Sequence, residues 1–293
     1  MQLSIITLNY NKSDLTINCL ESLQRQYKTE LDQNKFEIIV IDNGSEDKDS
    51  IILTESIKKS NIKKIKYIQS KENMGFSRGC NFGAESAEGD LLLFLNNDTE
   101  VKDEGISKML SYINENENID VLGGKLMNRD GTDQVSVGRF YSPFNALLLL
   151  LGIQRIGGID KNPKNIASVD WVKGGCMMVK KEIFEKLNGF DEKIFMYIED
   201  MEFCYRAKKK GYSVFFYPHV TILHEDQGSS NRSFAVVNIY QNLLYFYKKH
   251  RSNNEYMLLR AAMKTKAFVL INVGKLLNNS YLTQTYEKAL KMA

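Results

Sequence analysis

Along the first hundred residues, short apolar runs alternate with amphipathic stretches. Leu3–Leu8 (LSIITL), Phe36–Ile41 (FEIIVI), Ile65–Gln69 and Leu91–Asn96 are compact runs bounded by turn residues. All four read as strands, and the most apolar, Phe36–Ile41 and Leu91–Leu95, as strands buried on both faces. Between them the pattern predicts helices from a cap at Ser13 or Asp14 to about Gln26, over Ser50–Lys59, and over Cys80–Ala87 after a glycine-rich turn at Asn73–Gly79. The resulting β-α-β-α-β-α-β series predicts a parallel sheet with right-handed crossovers. Its sharpest transition is at Leu91–Thr99, where five apolar residues give way to Asn96, Asn97 and Asp98. Open α/β sheets present their chemistry at the carboxyl ends of the strands. Asp98 is therefore expected at the lip of the sheet, where a carboxylate can hold a divalent cation against phosphate oxygens. Its plainer role is a helix cap or an Asx turn.

The second half is patterned differently. A helix is expected over about Glu104–Asn116, then strand pieces near Val121–Met127 and Gln134–Phe140. Phe144–Ile153 (FNALLLLLGI) is strongly apolar but about half the ~20 residues of a membrane span. It suits core packing, or a loop that touches a membrane or joins two copies into a homodimer. Val169–Lys180 reads as a strand pair bent around Gly174-Gly175, where backbone approaches something closely. A short helix over Lys181–Leu187 closes at Asn188-Gly189. Glu199 and Asp200 fall in the first turn of a helix that ends at Gly211, where acids also complement the helix dipole. Val214–Tyr217 and Thr221–Leu223 are expected strands, the second ending in His224 beside the turn Gly228-Ser229-Ser230, and the chain is helical in pattern from Ser233 onward.

Composition narrows the class. With 43% hydrophobic and 26% charged residues, the 293-residue chain is that of a globular protein. The expected division is an α/β domain over 1–230 and a basic helical extension over 231–293. The four cysteines form no CxxC, which argues against a zinc site or a disulfide scaffold and fits a reducing cytosol. Leu3 opens a strand with no basic leader before it, so no signal peptide is expected. The net charge of +3 is unevenly spread: residues 231–293 carry ten Lys/Arg against Glu255 and Glu287. An acidic body with a basic tail points to an anionic surface as the tail's partner. Nucleic acid is disfavoured because the body has no basic stripe and no recognition motif. No GxGxxG follows the first strand and no Walker A sequence is present, which argues against dinucleotide and P-loop chemistry.

Six blocks in order, SIITLNYN, VIDNGSED, NMGFSRGCNFG, LLFLNNDT, GG…GFDE…FMYIEDMEFCYRAKKKGY and HEDQGSS, resemble the family 2 glycosyltransferases, inverting enzymes of the GT-A fold. The likeness is greatest to the bacterial rhamnosyltransferase-like branch, and it runs from Leu3 to about Arg251. It implies a mostly parallel central sheet flanked by helices, with a nucleotide-binding half and an acceptor half. By that resemblance Asn9 and Tyr10 lie against the nucleoside, and Asp42 accepts a hydrogen bond from N3 of uracil or thymine. Asn73, Arg78 and Asn81 belong to the turn that closes on ribose and base, with Gly75 in the same nucleotide-sugar-binding set. Thr7, Asn96, Asn97, Trp171, Gly174 and Gly175 complete the nucleotide-sugar-binding set. Asp98 resembles the principal ligand of Mg²⁺ or Mn²⁺, His224 the residue that completes the metal site, and Asp200 the catalytic base. Glu199 would hold the acceptor or raise its neighbour's pKa. The departure is at Asn96 and Asn97, where many relatives carry acids.

The implied reaction is metal-dependent, inverting transfer of rhamnose or another hexose from a dTDP- or UDP-sugar. The acceptor would be a hydroxyl of a saccharide or lipid-linked saccharide in cell-surface polysaccharide synthesis, in the cytoplasm or on the cytoplasmic face of the membrane. A non-catalytic scaffold of the same fold and a sugar nucleotidyltransferase are the alternatives, although the latter needs a glycine- and arginine-rich loop that Asn9–Lys12 does not supply. A glycoside hydrolase would need two carboxylates flanking the bond. In the tail, Tyr256, Leu259, Met263, Leu270 and Leu277 recur at helical spacing, with Arg260, Lys264 and Lys275 on another face. Such a helix packs on the protein or lies on an anionic bilayer, and the charge of the tail favours the bilayer.

Overall fold

The structure is a computed structural model that describes residues 1–151, 161–225 and 231–293. The chain divides into two compact units. The first comprises the described residues of Met1–Gly138, Lys161–Phe195 and Glu199–Ser229. The second comprises those of Arg139–Asp160, Met196–Ile198 and Ser230–Ala293, so the segment after Gly138 groups with the C-terminal helices.

The first unit is built on one sheet. Strands β1 (Leu3–Asn9), β2 (Phe36–Asp42), β3 (Ile65–Gln69) and β4 (Leu91–Leu95) pair in parallel in the order β3-β2-β1-β4. All seven residues of β2 and all five of β4 are buried, as expected of strands covered on both faces. Helices α1 (Ser13–Asp32), α2 (Asp47–Lys59) and α3 (Gly75–Glu85) make the crossovers. Beyond β4 the sheet is no longer all parallel. Strand β10 (Cys176–Lys180) runs antiparallel to both β4 and β6 (Val121–Met127). Strand β11 (Val214–His224) is parallel to β6, and β5 (Thr99–Val101) closes the edge antiparallel to β11. Helices α4 (Gly105–Glu115), α6 (Lys181–Lys186) and α7 (Glu199–Lys209) flank this half. Of the strand expected over Gln134–Phe140, only Val137–Gly138 (β7) forms, paired with β9 (Trp171–Val172) in a separate ribbon, while β8 (Ala167–Ser168) pairs with β11.

The two strands expected at 214–217 and 221–223 are one strand whose register with β6 breaks between Tyr217 and Ile222. Pro218 lies in that break and has no N–H to donate to the ladder. All four cysteines are buried and free. Burial pushes Cys19, Cys176 and Cys204 up to about 12, so none supplies a thiolate.

The second unit is helical: α5 (Pro143–Leu151), α8 (Arg232–His250), α9 (Asn253–Leu276) and α10 (Ser280–Met292). Helix α9 opens with a capping box between Ser252 and Glu255 and packs against α5, α8 and α10. Of the apolar stripe anticipated on this helix, Leu259 and Met263 are buried with Ala267 and Ile271 on its packing face, Tyr256 and Leu270 are half-buried, and Leu277, just past its end, is exposed. A different face is exposed, carrying Met257, Leu258, Phe268, Val269 and Leu276. Of the apolar segment 144–153, Ala146 and Leu150 are buried and Phe144 is exposed, while its last two residues lie outside the described residues. The turn 228–230 expected beside His224 also lies outside them.

Candidate functional site

The loops after β1 and β2 are stitched together by side chains expected to meet the nucleoside. The Asn9 amide donates to Ser45 Oγ (3.1 Å) and Asp49 Oδ2 (2.8 Å) and accepts from Thr16 Oγ1 (2.8 Å). The Asn97 amide donates to the same Thr16 hydroxyl at 2.9 Å, which ties the end of β4 to the end of β1. Asp42 is fully buried. Its Oδ2 accepts from Tyr67 Oη (2.7 Å) and Ser50 Oγ (2.5 Å), and Oδ1 accepts the Ser45 N–H (3.2 Å). Burial and the Asp42 carboxylate keep the Tyr67 phenol protonated. One lone pair of Oδ1 is left, which is what a single base N–H would need. Tyr10 is exposed beside this network, and the buried Thr7 Oγ1 has no hydrogen-bond partner.

The glycine-rich turn is equally tied down. Asn73 Oδ1 accepts from Gly75 N (2.9 Å) and from Asn43 Nδ2 (3.1 Å). Gly75 has φ +77°, and a Cβ there would run into the carbonyl and ring of Phe195. Arg78 pairs with Glu72 at 3.1 Å on the surface. Asn81 uses its whole amide on the turn after α6: Oδ1 accepts from Phe190 N (2.9 Å) and Nδ2 donates to Phe190 O (2.9 Å) and Glu192 (3.2 Å). These contacts tie Asn81 to that turn, and the residue stays half-buried. Trp171 is buried in the β7–β9 ribbon, its ring over Gly138, where a Cβ would clash.

The remaining candidates converge on one turn. Gly174 N–H donates to Asp200 Oδ2 at 3.0 Å, and the adjacent Gly175 carbonyl accepts from Asn96 N at 3.2 Å. Asn96 Nδ2 lies 3.0 Å from His224 Nε2, and that nitrogen is 3.3 Å from Asp98 Oδ1. A continuous line of contacts therefore runs from Asp200 through Gly174-Gly175 and Asn96 to His224 and Asp98. Pairing of His224 opposite Thr99 in β11–β5 sets the imidazole beside Asp98. Asp98 is buried, and its Oδ1 receives no hydrogen bond. Among the described residues no group of three or more His, Cys, Asp or Glu side chains could hold a metal ion by itself.

Glu199 and Asp200 open α7 directly after Tyr197 and Ile198, whose φ values of +70° and +76° are unusual for non-glycine residues. Burial raises the Asp200 carboxyl above its ordinary value, opposed by the N–H groups of Gly174 and Met201 and by the Lys173 ammonium. Burial also raises Glu199 well above its ordinary value, and the Asp200 charge adds to the shift. Glu199 is thereby biased towards the acid form and Asp200 is the readier of the two to ionise. Gln134, which had no place among the expected site residues, binds the other face of the imidazole: its Oε1 is 2.8 Å from His224 Nδ1. No spacing in the sequence marks it.

A parallel first half with an antiparallel continuation matches the GT-A fold of glycosyltransferases. The sequence profile described as glycosyl transferase family 2 matches residues 4–187, and the chain belongs to that family. A second profile, the N-terminal domain of galactosyltransferase, matches residues 165–226. The chain is 28% identical over 216 residues to the low-salt glycan biosynthesis hexosyltransferase Agl10 of Haloferax volcanii, covering 72% of this chain and 63% of that one. It is 27% identical over 242 residues to the rhamnosyltransferase WbbL of Escherichia coli, covering 78% and 85%. Among solved structures, the mannosyltransferase PcManGT of Pyrobaculum calidifontis, in complex with GDP-Man and Mn²⁺, superposes with a TM-score of 0.61 at 13% identity, over 99% of this chain and 85% of that one. TarS 1–349 of S. aureus gives 0.55 at 16% identity, over 100% and 89%. At these identities the two structures show the fold alone.

Proposed function

We propose that the protein transfers a hexose, rhamnose in the first instance, from a dTDP- or UDP-sugar to a hydroxyl of a saccharide or lipid-linked saccharide, with inversion at the anomeric carbon. The observation that carries this reading is the Gly174-Gly175 turn, which contacts the Asp200 carboxylate on one side and Asn96, neighbour of the Asp98–His224 pair, on the other. On this reading one turn joins the base for the acceptor to the site for the leaving diphosphate. Asp200 Oδ takes the proton of the acceptor hydroxyl as its oxygen attacks the anomeric carbon from the face opposite the diphosphate. Glu199, biased towards its acid form, is suited to donate a hydrogen bond to the acceptor.

The residues at Asp98 fit a divalent cation. Its buried Oδ1 lacks a donor and lies 3.3 Å from His224 Nε2, near the ~3 Å between adjacent donors around an octahedral ion with bonds of about 2.1 Å. Mg²⁺ or Mn²⁺ held there would neutralise the charge of the departing diphosphate. With one carboxylate and one imidazole, the protein supplies half a coordination sphere or less, and diphosphate oxygens suit the rest. The rhamnosyl donor is supported by the relatives WbbL and the dTDP-rhamnosyl transferase RfbF of Shigella flexneri, 25% identical over 236 residues.

We further propose peripheral attachment to an anionic membrane through the exposed apolar face of α9, with Lys264 and Lys275 beside it. No helix of the described residues is long and apolar enough to cross a membrane. The test of the reaction is a panel of nucleotides and nucleotide sugars, scored by thermal shift and by sugar release with and without Mn²⁺. dTDP- or UDP-sugars are expected to raise the melting temperature only with metal, and Asp98→Ala to lose that response. Equal stabilisation with and without metal would overturn the metal assignment, and no response to any nucleotide sugar would overturn the donor.

A further inference from the structure

The proposed cation site needs more than a histidine nearby, because an imidazole binds metal only through an unprotonated nitrogen. Which nitrogen carries the proton is set by the partner of the other one. Here that partner is Gln134, a buried side chain at the end of the Asn128–Thr132 turn that follows β6. Gln134 Nε2 lies 2.8 Å from the backbone carbonyl of His224 and 2.7 Å from Asn128 Oδ1. A backbone carbonyl can only accept, so this end of the amide is the NH₂ and the opposite end is the oxygen. That oxygen is 2.8 Å from His224 Nδ1 and can only accept, so Nδ1 must carry the hydrogen. In the neutral ring Nε2 then carries a lone pair facing Asp98 Oδ1 at 3.3 Å, and the Asn96 amide, 3.0 Å away, can donate to that lone pair. Two acceptors so close are mutually repulsive unless something positive lies between them. Asn96 matters here for a second reason: an aspartate at that position would offer no N–H and would favour a proton on Nε2.

We infer that Gln134 is a positioning residue that holds His224 as the Nδ1–H tautomer and so presents Nε2 to a divalent cation beside Asp98. The inference rests on the metal reading above for its purpose, but the tautomer can be read without metal. The protein has three histidines, and long-range ¹H–¹⁵N correlation of the metal-free chain, with His224→Ala to assign the ring, reports which nitrogen is protonated. The wild type is expected to show Nδ1–H. Gln134→Met keeps the volume and removes the acceptor. It should lose that signature and weaken Mn²⁺ binding in the presence of UDP, followed by loss of the free-ion EPR signal, by about tenfold or more. Gln134→Glu keeps an acceptor at Nδ1 and should retain the tautomer. A wild-type ring protonated at Nε2, alone or with Nδ1, overturns the inference whatever the variants do, and so does a folded Gln134→Met that keeps both Nδ1–H and its Mn²⁺ affinity. Wild-type protein that shows Nδ1–H yet binds no Mn²⁺ with UDP removes the metal reading and leaves the tautomer assignment standing.

Discussion

Asp200 and Glu199 are chemically similar neighbours whose surroundings shift them to different extents. Two backbone N–H groups, from Gly174 and Met201, stabilise ionised Asp200, whereas Glu199 has a buried Oε2 with no partner. Loss of the base should be close to complete: Asp200→Asn is expected to lower kcat by about 10²–10⁴-fold while binding of UDP with Mn²⁺ stays within a few-fold of wild type. Steady-state rates beside calorimetric titration decide it, and a variant retaining a tenth of the wild-type kcat would remove Asp200 from the role. The sign of the pH effect follows from the direction of its shift. A base must be ionised to act, and its raised pKa means that activity falls, on acidification, at a higher pH than an ordinary aspartate with a value of about 3.9 would give. The acid limb of kcat/KM against pH is the measurement.

At the scale of elements, the turn between α6 and α7 is clamped from two sides. Asn81 of α3 holds Phe190, and Arg206 of α7 reaches back to the carbonyls of Leu187 and Gly189. Arg206 is itself fixed by the fully buried Glu202, one turn earlier, at 2.8 Å. Breaking a buried pair from one side leaves the other charge uncompensated, which typically costs 3–5 kcal/mol. Arg206→Met should therefore lower the melting temperature sharply, and the double variant Arg206→Met/Glu202→Gln should recover much of the loss. Equal melting temperatures for the single and double variants would mean that the guanidinium acts only through its carbonyl contacts. The strands and helices of the parallel half were legible because each carries its own periodicity, as was β6 beyond it; Ile65–Gln69 and Val121–Met127 form over the residues expected. The β7 region was not, since a strand that short is fixed by its partner rather than by its own pattern.

For the whole molecule, the question is where it works. Exposed Leu258, Phe268, Val269 and Leu276 lie on one face of α9, in a segment whose basic residues outnumber its acids ten to two. Each basic residue near an anionic surface contributes about 1 kcal/mol, and that contribution is screened by salt. The full chain is expected to co-sediment with phosphatidylglycerol-containing vesicles at low salt, to be released at high salt, and to lose most of this binding on Phe268→Glu/Leu276→Glu. Protein that ignores such vesicles at low ionic strength would leave this face to another partner.

The order of apolar runs and the polar residues at their ends determined, without coordinates, the parallel nucleotide half, the place of Asp42 and Asp98 at strand ends, and the acidic start of α7. Those features are local: a buried strand or a helix terminus writes its own pattern within a few residues. No local pattern puts His224 beside Asp98, which the family resemblance alone implied; the contact is made by antiparallel register between β11 and β5, more than a hundred residues apart in the chain. Tertiary structure also decided that Asn81 grips a turn, that Leu259 and Met263 lie on the packing face of α9 while Leu277 stays exposed, and that Gln134 backs the imidazole. A glutamine has no periodicity to betray it; its role exists only once the fold has set a carbonyl at one end of its amide and a ring nitrogen at the other.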